Sequence, residues 1–371
     1  MIPVFSPAIG RTELGYVMDA LLAGDISGSG GPFLKRFEEE FAAYCGCRFG
    51  VAVSSGTAAL HLATTLARIQ PGDEVLVSAC TNIASANAVA MRQGIVVPVD
   101  SEPDTWNMDV SLLDALVTPR TRAIMPVHIY GHPVDMDEVL RVAEKHDLFV
   151  IEDCAEAHGA LYRNRKVGGI GTVGCFSFYA NKIITTGEGG MLVTNDEHLA
   201  ERARSLRNLA FGKPRFLHRE IGFNYRLTNI QAAIGCAQFE RINETLTDKR
   251  RIATHYTELL RDTPGLRLPV ERDYARNVYW MYALVVEESF GATRNMLIDA
   301  LAEYGVETRT MFCPMKLQPA LVDSQSVRMT SCPVAEELWE RGLYLPSTHA
   351  LSDREIDAIC HVIQEVHLEC V

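Results

Sequence analysis

The sequence predicts an α/β fold built around a largely parallel sheet. Between residue 50 and about 195, short strand-like runs alternate with helix-like ones. The strand-like runs are almost unbroken in apolar and β-branched residues. That is the pattern of strands buried on both faces with helices packed between them. The chain has 371 residues, 47% hydrophobic and 22% charged, enough for a large core and two domains.

Pro32–Tyr44 is an amphipathic helix. Pro32 suits its first turn, and Phe33, Phe37, Phe41 and Tyr44 recur at helical spacing as a core-facing stripe. Residues 25–31, Asp-Ile-Ser-Gly-Ser-Gly-Gly, read equally as a substrate lid or a connector. Phe49–Val53 is a strand, and Ser54-Ser-Gly-Thr-Ala-Ala-Leu opens the helix after it. Glu74–Ser78 is a second strand, followed by a helix over 83–92. Ile95–Val99, 122–127 and 148–151 are three more strands. The helix over 135–146 puts Val139, Leu140, Val142 and Ala143 on one face. A helix over 228–242 continues as a long helical stretch to about 261, where Pro264-Gly265 breaks it. A strand at Tyr282–Val286, a helix over 292–304 and a last helix from about Asp353 form a smaller α/β unit. The expected division is 1–245 for a large domain with an N-terminal helical segment, and 246–371 for a small C-terminal domain. There is no internal repeat or low-complexity segment.

A net charge of −12 argues against nucleic acid or an anionic membrane as partner. No apolar run approaches the ~20 residues of a spanning helix. Met1-Ile-Pro-Val-Phe-Ser-Pro has no basic stretch before an apolar core, so the expectation is a cytoplasmic protein. Of ten cysteines, Cys45 and Cys47 lie two apart, the rest are scattered, and no CxxC pair occurs. Reduced, mostly buried thiols and no metal site are expected.

Lys182 carries the chemistry. An apolar, aromatic run, Cys175-Phe-Ser-Phe-Tyr-Ala-Asn, ends at it, and the small polar turn Ile-Ile-Thr-Thr-Gly-Glu-Gly-Gly190 follows. Such a context buries an amine, lowers its pKa and makes it a nucleophile toward a carbonyl. Upstream, the strand-like run Leu148-Phe-Val-Ile-Glu leads to Asp153. A reactive lysine and a buried carboxylate are the pair a pyridoxal phosphate site needs, one for the aldehyde and one to keep the pyridine nitrogen protonated. Ligands on such sheets bind beyond the carboxyl ends of the strands, where residues 54–57, 80–83 and 153–156 fall. Ser55-Gly56-Thr57 offers amides and a hydroxyl to a phosphate at a helix start, although the same residues also make a plain cap. Ser177 could add a second hydroxyl, and Glu156 could face the cofactor ring. His158 reads as structural. The run from Gly187 to Gly190 lacks dinucleotide-binding spacing and reads as a close turn. In Gly222-Phe-Asn-Tyr-Arg-Leu-Thr-Asn229, Asn224 and Arg226 read as phosphate and carboxylate contacts or as a solvated loop.

These runs resemble the DegT/DnrJ/StrS-type sugar aminotransferases, pyridoxal phosphate enzymes with the aspartate aminotransferase fold (fold type I). The resemblance covers essentially the whole chain. It runs through Gly-Thr-Ala-Ala-Leu-His61, Pro71-Gly-Asp-Glu-Val75, His128-Ile-Tyr-Gly-His132, Ile-Glu-Asp153, the stretch 181–190, Gly-Phe-Asn-Tyr-Arg226 and Leu345-Pro-Ser347. Within the family, the pattern most resembles the GDP-perosamine synthase group. The resemblance implies that Lys182 binds the cofactor and moves the proton, and that Asp153 partners the pyridine nitrogen. It implies that Gly56, Thr57 and Ser177 bind the phosphate and that Glu156 lies beside the phenolic oxygen. Asn224 matches a residue that reaches the neighbouring subunit's phosphate, which implies a homodimer with shared sites. Ser29, Arg226, Arg309 and Lys316 are the candidates for substrate binding.

The implied reaction is amino transfer from L-glutamate to C4 of a nucleotide-linked 4-keto-6-deoxy sugar, GDP-4-keto-6-deoxymannose giving GDP-perosamine for O-antigen or another surface glycan. A UDP- or dTDP-linked ketosugar is the alternative. A lysine at 182, where some relatives carry histidine, argues for transamination over dehydration. Three positions depart from the family pattern. Asn82 stands where an aromatic residue usually stacks on the cofactor, Lys316 where perosamine-type relatives have histidine, and Asp25 where tryptophan is common. Asn82 also hints at a cofactor-binding regulatory protein without turnover; the retained Lys182 and Asp153 weigh against that reading.

Overall fold

Seven strands make the central sheet of this computed structural model, which describes residues 1–214 and 216–370. They are β1 (Phe49–Val53), β2 (Glu74–Ser78), β3 (Ile95–Val99), β4 (Thr121–Met125), β5 (Phe149–Asp153), β6 (Val173–Ser177) and β7 (Gly190–Thr194). Their order is β1-β7-β6-β5-β4-β2-β3. The run from β3 to β6 is parallel. β7 is antiparallel to both β6 and β1. The sheet is therefore mixed but mostly parallel, as the alternating pattern predicts.

Successive strand residues point to opposite faces, and each face has its own core. On one side Leu76, Ile124, Phe176 and Met191 pack with Phe37 and Phe41 of the helix Pro32–Tyr44. On the other, Val75, Val77, Ala123, Cys175 and Leu192 pack with the helix Gly56–Leu66. Burial on both faces is why these strands read as continuous apolar runs.

A second, four-stranded antiparallel sheet has the order Leu266–Arg267, Tyr282–Val286, Gly342–Leu345, Arg309–Thr310. The helices Ile242–Leu260, Arg294–Glu303 and Asp353–Cys370 pack with it through Tyr256, Leu284, Leu297 and Ile359. The N-terminus also joins it: Ile2 bridges to Val306, and the Val4 N–H donates to Glu307 Oε2 at 3.0 Å.

Some boundaries move. The fourth strand ends at Met125 and the fifth reaches Asp153; the Asp153 N–H still donates to the Pro126 carbonyl at 2.9 Å. The helix expected over 228–242 is Asn229–Glu240, started by Thr228 and Gln231 in a capping box, and Ile242–Leu260 is a separate helix. The helices Arg11–Leu22 and Glu197–Arg207, and the strands β6 and β7, were not anticipated. All ten cysteines are free. Among the described residues, no helix is long and apolar enough to cross a membrane.

Phe41 is 0% exposed, with its ring edge-on to Phe176 at 4.9 Å and to Phe178 at 5.2 Å. Phe41→Ala should lower stability by ~3–5 kcal/mol, read as a shifted urea midpoint. A loss below ~1 kcal/mol would mean that this helix is not part of the core that the sheet needs.

Candidate active site

Three strand ends converge to make the cleft. β1 leads into the helix Gly56–Leu66, whose N-cap Ser55 accepts the Ala58 N–H at 3.1 Å. The first-turn amides beside it have no partner within the helix. A Cβ on Gly56 would lie 2.7 Å from the Ser177 Cβ, at the end of β6. Only glycine leaves the notch between them open. The chain leaves β6 at Ser177, passes through Lys182 and returns as β7, with Gly190 opposite Ser177. A Cβ on Gly190 would lie 2.4 Å from the Ser55 carbonyl oxygen. β5 ends at Asp153 between these segments and β4. The enclosed volume is about 270 Å³, with Gly56, Thr57, Asp153, Glu156, Ser177 and Lys182 on its walls.

The ionisable groups are almost dry. Asp153 Oδ2 accepts the Ser85 hydroxyl at 2.7 Å, and Oδ1 accepts the Ala155 N–H at 3.1 Å. Burial nevertheless raises its pKa. Glu156 Oε2 accepts the Tyr130 N–H at 2.9 Å, and burial lifts its carboxyl to about 7 against the pull of Lys182. The Lys182 side chain is 11% exposed, with Nζ 3.9 Å from Glu156 Oε1. Burial lowers its pKa, opposed by Glu156 and Asp153. The amine also lies over the Trp280 ring, 3.7 Å from the centroid. The Trp280 indole N–H donates to the Asn181 carbonyl at 2.7 Å. Tyr130 stacks between Trp280 and Phe312, with ring centroids at 6.2 and 5.8 Å. Burial thus moves the proton affinities of this amine and this acid toward each other, which eases proton transfer between them.

The cleft brings together six of the residues singled out in the sequence: Lys182, Asp153, Glu156, Gly56, Thr57 and Ser177. Asn224, Arg226 and Ser29 lie instead in a separate groove of about 670 Å³. There the Arg226 guanidinium donates to Asn208 Oδ1 at 2.6 Å. Arg309 and Lys316 line neither space; they pair with Glu307 and Glu336. Asn82 is on the cleft wall, with its Oδ1 turned to cap the Ala84 N–H at 3.0 Å. His158 sits behind the wall, fully buried among Phe41, Phe176 and Phe178. Burial drops its pKa to about 3.

Sequence reasoning missed Ser85 and three aromatic residues on the cleft wall, Trp280, Phe312 and Tyr344. The run Tyr279-Trp280-Met281 before an apolar strand was the one local signal for Trp280. For Ser85 there was none, since only the fold brings it to Asp153. His128, Glu152 and Cys154 also cluster, but their atoms are engaged. His128 meets Glu152 at 3.2 Å and accepts the Val134 N–H at 3.0 Å. Glu152 also accepts the N–H groups of Gly168, Ile170 and Gly171. This set is an internal brace.

A buried acid, an amine of lowered pKa and a helix start with hydroxyls beside it form a donor set that fits pyridoxal phosphate. Residues 7–364 match the DegT/DnrJ/EryC1/StrS aminotransferase family. The chain belongs to this family. It is 43% identical over 367 residues to the GDP-perosamine synthase of Caulobacter vibrioides, covering 98% of each chain. It is 40% identical over 367 residues to that of Escherichia coli O157:H7, covering 99% of this chain and 98% of the relative. The crystal structure of S. venezuelae DesV in complex with a ketimine intermediate superposes with a TM-score of 0.90 at 36% identity, over 96% of this chain and 94% of that one. The fold is fold type I, and the chain is a sugar aminotransferase. Membership in the DegT/DnrJ/EryC1/StrS family implies pyridoxal phosphate as cofactor.

In the cofactor-free protein, Glu156 keeps its proton up to about pH 7, whereas an unperturbed glutamate releases it near 4.5. The folded state therefore holds the extra proton across that window, and the stability owed to it is lost as pH rises through about 7. Glu156→Gln should lack this slope. Urea unfolding should show the variant gaining on the wild type from pH 4.5 to about 7 and keeping a constant lead above it. A lead that does not change with pH would mean that the carboxyl is already ionised.

Proposed function

We propose that this protein transfers the amino group of L-glutamate to C4 of GDP-4-keto-6-deoxymannose, giving GDP-perosamine. The observation that carries amino transfer is the desolvated Lys182 amine, 3.9 Å from a Glu156 carboxyl of raised pKa and sharing a cleft with Asp153. The choice of sugar and nucleotide rests on the likeness to two GDP-perosamine synthases.

Bound pyridoxal phosphate would supply an aldehyde for the amino group and a ring that takes up electrons from the bond being broken. The protein's share is binding, orientation and proton transfer. The Gly56 and Thr57 amides and the Ser177 hydroxyl would receive the phosphate. Asp153, held by Ser85 and Ala155, would keep the proton on the pyridine nitrogen. Glu156 would lie beside the phenolic oxygen. Lys182 would hold the aldehyde. Its amine, once freed, would be placed to take a proton from one carbon and return it to the next. Trp280 covers that amine and keeps water from it.

Asn224 lies away from the cleft of its own chain, which supports its role at a neighbour's phosphate and hence a homodimer with shared sites. Ser29 and Arg226 share its groove and are proposed to meet the substrate there. Arg309 and Lys316 would first have to leave Glu307 and Glu336. We place the reaction in the cytoplasm, upstream of O-antigen or another surface glycan.

The test is mass spectrometry of one incubation with protein, pyridoxal phosphate, L-glutamate and GDP-4-keto-6-deoxymannose made in situ. The expected product has an amine in place of the ketone, and Lys182→Ala yields none. Unchanged ketosugar, with glutamate still converting the cofactor to its amine form, would sink the GDP assignment and turn the search to UDP- and dTDP-ketosugars. Gly56→Ala, which fills the notch against Ser177, should weaken cofactor binding about tenfold or more in an equilibrium titration.

A further inference from the structure

The chain buries a second lysine that the reaction does not use. Lys249 lies in the middle of the helix Ile242–Leu260 and is 1% exposed. Its ammonium donates to the Trp280 carbonyl at 2.8 Å and to the Ser347 carbonyl. Both acceptors are main-chain oxygens, and burial pulls its pKa down to about 7. An apolar side chain of similar volume would fill the same space without the cost of desolvating an amine.

The two acceptors account for the lysine. Trp280 puts its ring under the Lys182 amine and its indole N–H on the Asn181 carbonyl. Its own N–H donates to the Tyr130 carbonyl at 2.9 Å, so the main chain on both sides of the indole is held. Ser347 follows the strand Gly342–Leu345, and its hydroxyl accepts the Tyr282 N–H at 2.9 Å. Lys249 thus joins the helix to the two segments that flank the strand start from which Trp280 reaches the cleft.

We infer that Lys249 is a positioning residue for amino transfer: by fixing the main chain at Trp280 and Ser347, it fixes the indole over the Lys182 amine. This inference rests on the reading of Lys182 as the cofactor-binding lysine. The same helix offers a contrasting tether. The Tyr256 hydroxyl, two turns further on, donates to the Pro346 carbonyl at 3.1 Å rather than to Trp280.

The experiment titrates the visible absorbance of the pyridoxal-phosphate-loaded protein against pH, since its midpoint reports the surroundings of the lysine–cofactor linkage. Lys249→Met and Trp280→Leu should shift the midpoint in the same direction, each by about half a pH unit or more. The double variant should shift it no further than Trp280→Leu alone. Tyr256→Phe should lower thermal stability and leave the midpoint at the wild-type value. A wild-type midpoint in Lys249→Met, or additive shifts in the double variant, would overturn the inference. If Lys249→Met does not fold, Lys249→Gln, which keeps one donor on a shorter stem, takes its place with the same two outcomes. Lys182→Ala separates the two readings: a lysine-type band that still titrates in that variant would overturn the role of Lys182 itself, whatever Lys249 does.

Discussion

The cleft depends on taking one amine and two carboxyls out of water together. Alone, each charge would be costly to bury. Together they settle into a set in which the acids hold protons more tightly and the amine less tightly than in water. That condition needs groups from separate segments. Asp153 closes β5, Glu156 follows in the next turn, and Lys182 lies beyond β6. A parallel sheet brings such ends to one edge, which is why the chemistry gathers there and why the sheet order matters to it.

Two neighbouring acids show how finely the strand sorts its side chains. Glu152 and Asp153 are consecutive in β5, so their side chains leave on opposite faces. Glu152 meets His128 and three amide N–H groups. Although burial works the other way, these partners hold its pKa low. Asp153 has a hydroxyl and one amide, and its pKa is raised. One carboxylate braces the loop that follows, while the other is left with unmet demand for a positive partner in the cleft. The difference comes from how many donors each face provides.

Much of this was legible in the sequence because it is local. β1 to β5 announce themselves as apolar runs, and Lys182 and Asp153 stand out as polar residues ending apolar segments. β6 was not legible, because Val-Gly-Cys-Phe-Ser mixes small and aromatic residues without a clear period. The reversed direction of β7 is a property of pairing, which no short window contains. Ser85 and Trp280 reach the site across 68 and 99 positions of sequence, to Asp153 and Asn181 respectively. Asn82 shows the limit of reading by substitution. The position that lacks an aromatic ring has an amide already committed to starting a helix.

The reversal of β7 has a consequence for how the reactive lysine is held. Because β6 and β7 are adjacent and antiparallel, with Ser177 facing Gly190, the segment bearing Lys182 is the closed end of a hairpin. Both of its stems are clamped by one ladder; inside it the Thr186 N–H donates to the Phe178 carbonyl at 2.9 Å, and from outside the Trp280 indole N–H reaches the Asn181 carbonyl. A crossover between parallel strands would have tied this segment to the packing of a helix against the sheet. A hairpin tip is free of that helix, yet this one is not loose, because Ile183, Ile184, Thr185 and Thr186 are buried. The reactive lysine therefore sits on a connection whose two ends are set by neighbouring strands and whose interior is set by the core, so a change of length there would move the amine against Trp280.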